Sequence, residues 1–230
     1  MSTAKGLRPV SYVIERSARR TIGIYVERDG QVRVRAPEKA TDERIATVVN
    51  SKLPWVYRTL ARWSTVSSGH TRKEFVSGET IYFLGRPHRL DFREDTSKPL
   101  ELAGDIFVVR RDCQSETETL LKTFYRDEGL RRIPAMVDEH ARTMGLTPGR
   151  VRVLDLGHRW GSCSESGTLN FHWKALAVPL EVLHYLVVHE LAHLERRDHS
   201  ARFWRIVESE MPNWKDHARW LTACGAQMAL

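Results

Sequence analysis

His189-Glu190-Leu191-Ala192-His193 constrains this chain more than any other stretch. Residues four apart on an α-helix stack on one face, so His189 and His193 can grip one metal ion together. Glu190 is rotated to the flank of that face, where it can reach a water beside the ion but is poorly placed as a third ligand. Two imidazoles, one water and a neighbouring carboxylate form the working core of a zinc hydrolase. The motif fixes only three residues in five, so its context has to carry the reading. Pro179 suits a first helical position and Glu181 its first turn. Val182, Leu183, Leu186, Val187, Leu191 and Leu194 supply an apolar face at helical spacing. Two His and a Glu inside such a segment cost burial energy unless something compensates. The plainer alternative is a core helix whose histidines are satisfied by hydrogen bonds.

A tetrahedral catalytic zinc takes a third protein ligand and leaves its fourth position open. His199 is the nearest candidate, and a helix ending soon after His193 would let the chain turn it back. Metzincins share this ligand spacing but place a Gly three residues after the second His, where a left-handed turn is needed. Here that position is Arg196, so no metzincin assignment follows. Glu208, Glu210 and His217 are rival ligands, and His199 could instead cap the next helix beside Asp198 and Ser200.

Composition bounds the rest. The 230 residues allow one large domain or two small ones. Met1 to Gly6 lack the apolar core of a secretory signal, and no apolar run approaches a membrane span. Cys113, Cys163 and Cys224 are odd in number and widely spaced, which suits a reducing cytoplasm. Residues 1–64 carry 13 Lys/Arg against 6 Asp/Glu and the remainder 23 against 23, so the net charge of +7 belongs to the N-terminal quarter. Such a basic face can attract nucleic acid, or be a solvated strand surface.

In chain order, Val10–Ile14, Ile22–Val26 and Gln31–Arg35 read as strands, with a hairpin turn at Arg28-Asp29-Gly30. Strict alternation turns Val32 and Val34 inward and Arg33 and Arg35 outward. Thr41 or Asp42 opens a helix through Trp63, which Pro54 should kink or split. A polar loop holds Ser67-Ser68-Gly69. Strands resume at Thr80–Leu84, Arg89–Arg93 and Ile106–Val109. Ser115-Glu116-Thr117-Glu118 has capping-box form and opens a long helix that Gly129 and Pro134 could bend and Gly145 ends. Residues 150–156 and Leu169–Trp173 read as strands, with Arg159–Ser164 between them. A short helix starts at Arg202 and stops at Pro212, and a last one ends near Cys224-Gly225.

Several blocks stand in one order: Arg159-Trp160-Gly161-Ser162-Cys163-Ser164, Asn170, Pro179, Tyr185-Leu186-Val187-Val188-His189-Glu190-Leu191-Ala192-His193, His199-Ser200 and Phe203-Trp204. On these blocks the chain resembles the YgjP-like metallopeptidase family, a relative of the SprT-like zincins. It departs from the family's pattern at Phe171-His172-Trp173, where an aliphatic residue often stands. The resemblance implies an α+β fold: a β-rich N-terminal region with one long helix over residues 1–112, and a zincin-like catalytic region over 113–230. It implies Zn2+ held by His189, His193 and His199, with Glu190 as the catalytic carboxylate. Arg159 is the candidate electrophile for the oxyanion, the alternative being an ion pair that holds its loop. Trp160 and Asn170 are candidate substrate contacts. Cys163 reads as a small buried residue and His172 as packing. A peptide or protein is the expected substrate. Two other readings stay open: hydrolysis of a nucleotide phosphoanhydride, and a SprT-like protease acting on DNA-associated proteins.

Overall fold

The structure is a computed structural model that describes residues 10–26, 31–67, 73–157, 159–225 and 228. The turn expected at Arg28-Asp29-Gly30, and the Ser68-Gly69 part of the polar loop, lie outside them. The chain divides into two units, residues 1–70 and 71–230.

In the first unit β1 (Val13–Ser17), β2 (Gly23–Val26) and β3 (Val32–Pro37) form a sheet in the order β1-β3-β2. The first strand starts three residues later than its sequence suggests and runs parallel to β3. Val32 and Val34 are 2% and 0% exposed, so the alternating pattern does set the buried face. The outward pair Arg33 and Arg35 both bind the Glu15 carboxylate, at 2.8 and 2.9 Å. Helix α1 (Asp42–Ser67) runs through Pro54 instead of splitting there. Ile45, Val49, Leu53 and Val56 are buried on both sides of the proline, and that shared apolar face outweighs the missing hydrogen bond.

The second unit is mixed α and β. Strands β4 (Thr80–Phe83), β5 (Arg86–Arg93), β6 (Leu100–Ala103) and β7 (Ile106–Arg110) form a sheet in the order β4-β5-β7-β6. A short 3-10 helix at Arg111–Glu116 precedes α2 (Thr117–Met144). The expected capping box makes no side-chain cap. Gly145 ends α2 with φ of 67°, a left-handed cap. Gly129 is required within it for closeness: a Cβ there would lie 3.0 Å from both Leu176 and Val153. Strands β8 (Val151–Leu154), β9 (Gly161–Cys163) and β10 (Leu169–His172) form a third sheet, in the order β8-β10-β9. Helices α3 (Leu180–Ala192), α4 (Ala201–Glu210) and α5 (Trp214–Cys224) complete the chain. None of the described helices is long and apolar enough to cross a membrane.

This division corrects the boundary expected between residues 112 and 113. Ile81, Phe83, Leu90, Phe92, Phe107 and Val109 share one core with Leu121 and Tyr125 of α2 and with Leu183 and Val187 of α3. The buried Tyr125 hydroxyl donates to the Tyr82 carbonyl. At the β4–β5 turn the Leu84 N–H donates to the Leu176 carbonyl at 2.7 Å, and the Gly85 N–H to Ala177 at 3.2 Å. Gly85 has φ of 76°, and a Cβ on it would stand 2.7 Å from Pro179 Cα. The sheet β4–β7 is thus built against the start of α3.

Candidate metal centre and active-site cavity

Helix α3 is apolar on nearly every side. Val182, Leu183, Leu186, Val187, Val188 and Leu191 are all buried. A helix so enclosed holds its polar residues rigidly, and His189 and Glu190 lie in its last turn. His193 caps the helix, and the loop that follows returns His199 before α4 begins.

His189, His193 and His199 each offer a ring nitrogen within 4.8 Å of the others. Their ring centroids are 4.8–5.0 Å apart. His189 Nε2 and His199 Nε2 face each other at 3.1 Å. His193 Nδ1 lies 2.8 Å from the Arg196 carbonyl. A carbonyl only accepts, so Nδ1 donates and the Nε2 lone pair of neutral His193 stays available as a ligand. Phe203, fully buried in α4, packs against all three rings with centroids 4.5–5.0 Å away. Trp204 adds a second aromatic wall and stacks on Trp214 at 4.1 Å.

Electrostatics suit a cation site. Burial and the neighbouring His193 and His199 hold the His189 pKa down to about 3, so its ring is neutral. Burial also lowers His193. The neutral His189 ring offers its lone pair without charge repulsion, and the other two rings converge on the same point. Glu190 is only 4% exposed. Burial pushes its pKa up to about 8, against the pull of Arg159. Glu190 Oε2 and His189 Nδ1 are buried without hydrogen-bond partners among the described residues. An orphaned carboxyl oxygen beside three converging imidazoles fits a site built for an ion and its water.

The cavity around this cluster has a volume of about 460 Å³. Arg159, Trp160, Gly161, Ser162 and Cys163 form one wall, with Tyr185 and Leu221 further round. Gly161 passes so close to Glu190 that a Cβ there would stand 2.5 Å from Oε1. Strand β9 is an edge strand, bonded to β10 alone among the described strands. Sequence reading treats it as loop, because Gly-Ser-Cys lacks the branched and aromatic residues that mark strands.

The structure sorts the candidates clearly. His189, Glu190, His193, His199, Arg159 and Trp160 all line the cavity. Arg159 lines the cavity, and its charge acts on the Glu190 carboxyl. Asn170 does not line the cavity. Its amide donates to the Ser162 carbonyl at 3.3 Å and lies 3.2 Å from Ser162 Oγ, bracing β9 from behind. The rival ligands are engaged elsewhere: Glu210 binds His140 at 2.6 Å, Glu208 faces Lys215, and His217 lies beside Tyr185. His172 is buried; its Nδ1 accepts from the Lys174 N–H, and its Nε2 faces Asp155 at 3.4 Å. Sequence reading places Phe203 in the Phe203-Trp204 block but gives it no part in the site. Its signal is its place four residues after His199, one helical turn on.

Among solved structures, one described as "Crystal structure of the metallopeptidase zymogen of Pyrococcus abyssi abylysin" is similar. It is 28% identical over 39% of this chain and 92% of that one, with a TM-score of 0.37. The comparison with curated proteins returns no match. Against protein families, residues 20–223 match "YgjP-like, metallopeptidase domain". That match spans the described strands from β2 onward, helix α3 and the histidine cluster, and the chain belongs to this family of metal-dependent peptidases with a zincin-like α+β domain.

Proposed function

We propose that the protein is a zinc peptidase in which His189, His193 and His199 hold the ion and Glu190 is the general base. The observation that carries this reading is the convergence of three imidazoles beside a buried carboxyl whose Oε2 has no partner among the described residues. Zinc suits an all-imidazole set, and when bound it supplies Lewis acidity and lowers the pKa of water.

The chain's own residues do the rest. A neighbouring cation draws the Glu190 pKa down from about 8, so its carboxyl can exchange a proton near neutrality. Glu190 takes a proton from the attacking water and returns it to the leaving amine. Arg159 adds positive charge on the wall where the oxyanion develops. An extended peptide can add to the outer edge of β9, and the missing side chain at Gly161 lets that strand run close against Glu190. Trp160 offers an apolar wall to a substrate side chain. The three cysteines, all free thiols, fit a reducing cytoplasm.

The test compares Glu190→Gln with His189→Ala. Glu190→Gln should keep zinc and melting temperature and lose turnover by about 10²–10⁴-fold, the usual contribution of a general base. His189→Ala should lose the metal itself. Assays on casein, peptides and nucleoside triphosphates, with and without DNA, define the bond cleaved. Hydrolysis of triphosphates alone would replace the peptidase reading.

A further inference from the structure

The two sides of the cavity come from distant stretches of chain. One is β9 with the turn that follows it, where the Ser164 N–H and carbonyl bond Thr168 and Gly167. The other is the loop from Leu194 to Ser200, which carries His199. Among the described residues the backbone N–H groups of Arg197, Asp198 and His199 make no hydrogen bond to another backbone group. The Ser200 N–H bonds only locally, to Asp198 at 3.3 Å. Backbone bonding therefore leaves His199 loosely placed, and side chains have to fix it.

Arg197 supplies a fixing point. One terminal nitrogen donates to the Ser164 carbonyl at 2.6 Å and the other to the Glu165 carbonyl at 3.1 Å. Two adjacent carbonyls match the flat fork of a guanidinium, which Lys cannot reproduce. The preceding residue gives its carbonyl to His193 Nδ1. Successive residues thus tie the loop to the second histidine and to the opposite wall. Electrostatics sharpens the point. Arg197 lines the same cavity as the three histidines, and a positive charge there opposes the binding of a cation. Its place needs a reason other than charge.

We propose that Arg197 is a positioning residue for the metal site, strapping the loop that carries His199 to the turn after β9. This rests on the three-histidine reading and adds to it a residue that touches neither metal nor substrate. The strap predicts a sign opposite to that of charge alone. Removing a nearby cation would tighten metal binding, whereas removing the strap weakens it.

The experiment titrates zinc-loaded protein with a chromophoric chelator, with cobalt(II) visible spectra as a second readout. The variants are Arg197→Met, which keeps the stem without donors or charge, and Arg197→Lys, which keeps the charge without the fork. Both should lose zinc affinity by about 10–100-fold, as is usual when a partner that orients a ligand is removed. Both should also show altered cobalt spectra. Wild-type or tighter affinity in either variant overturns the proposal. Metal-free melting temperatures identify a variant that fails to fold, and the other is then read alone. His199→Ala separates the two levels. If it binds zinc like wild type, the three-histidine reading falls. If it loses zinc while the Arg197 variants do not, only the strap falls.

Discussion

Gly161→Ala tests the geometry of the catalytic wall without touching a proposed metal ligand. A methyl at Gly161 would lie 2.5 Å from Glu190 Oε1 and 2.8 Å from Cδ and Cγ. Non-bonded carbon atoms prefer about 3.5–4.0 Å, so roughly 1 Å must be found. The strand is held: Gly161 pairs with Phe171, and the His172 N–H bonds the Trp160 carbonyl at 2.8 Å. The carboxyl is the part that moves. Overpacking of this kind costs about 1–3 kcal/mol of stability. A 1 Å misplacement of a reacting group costs about 10²-fold in rate, equivalent to about 2.7 kcal/mol of barrier. Steady-state kinetics on a cleaved peptide should show kcat falling about a hundredfold while zinc content is unchanged. The double variant with Glu190→Gln should be no slower than Glu190→Gln alone, because both act on one group. A kcat for Gly161→Ala within about threefold of wild type, or multiplicative losses in the double variant, would refute the reasoning.

The metal-free protein should have an unusual stability profile against pH. The Glu190 pKa is raised from 4.5 to about 8, so the folded chain keeps a proton the unfolded chain releases, and stability falls as pH rises through that range. The His189 pKa is lowered from 6.5 to about 3, so stability also falls as pH drops through that range. The two slopes oppose each other between about 4.5 and 6.5, and above 6.5 that of Glu190 remains, so melting temperature in chelator should fall from pH 6.5 to 8; a steady rise to pH 8 would contradict this. Arg159 and Arg197 line a cavity whose only acidic residue among those described is Glu190, so peptides with Asp or Glu near the cleaved bond should outrun Lys counterparts. Arg159→Glu should reverse that ranking by about tenfold, a shift of about 1.4 kcal/mol, and an unchanged ranking counts against it. Since Glu15 already pairs Arg33 and Arg35, replacing both by Glu should leave any DNA affinity and its salt dependence unchanged; a shallower salt slope would restore the nucleic-acid reading.

Helix α3 was legible because its apolar period and its histidine spacing coincide in one stretch. The opposite wall was not. That Gly161 passes beneath Glu190 depends on how β9 pairs with β10, and nothing local in Gly-Ser-Cys announces a strand. Asn170 carried the right residue type for substrate contact, yet cross-strand register turns its amide onto Ser162. Helix α1 defeated the local rule for Pro54 because the apolar face on both sides of it is shared. The domain boundary was the largest miss. Alternating residues show that β4–β7 have a buried face, but not which helix covers it.

The Gly85 turn seated on Pro179 has a consequence for how the molecule can be divided. A cut after residue 112 would strip Phe83 and Phe107 from the core they share with Tyr125 and Trp173, and would leave the entry to the histidine helix bare. Among the described residues, the apolar clusters of the first unit draw on residues 10–60. Proteolysis near residue 70 should release a fragment of residues 71–230 that keeps its zinc and its own melting transition. The metal site would then be portable, and its smallest self-sufficient carrier includes a sheet that contributes no residue to the chemistry.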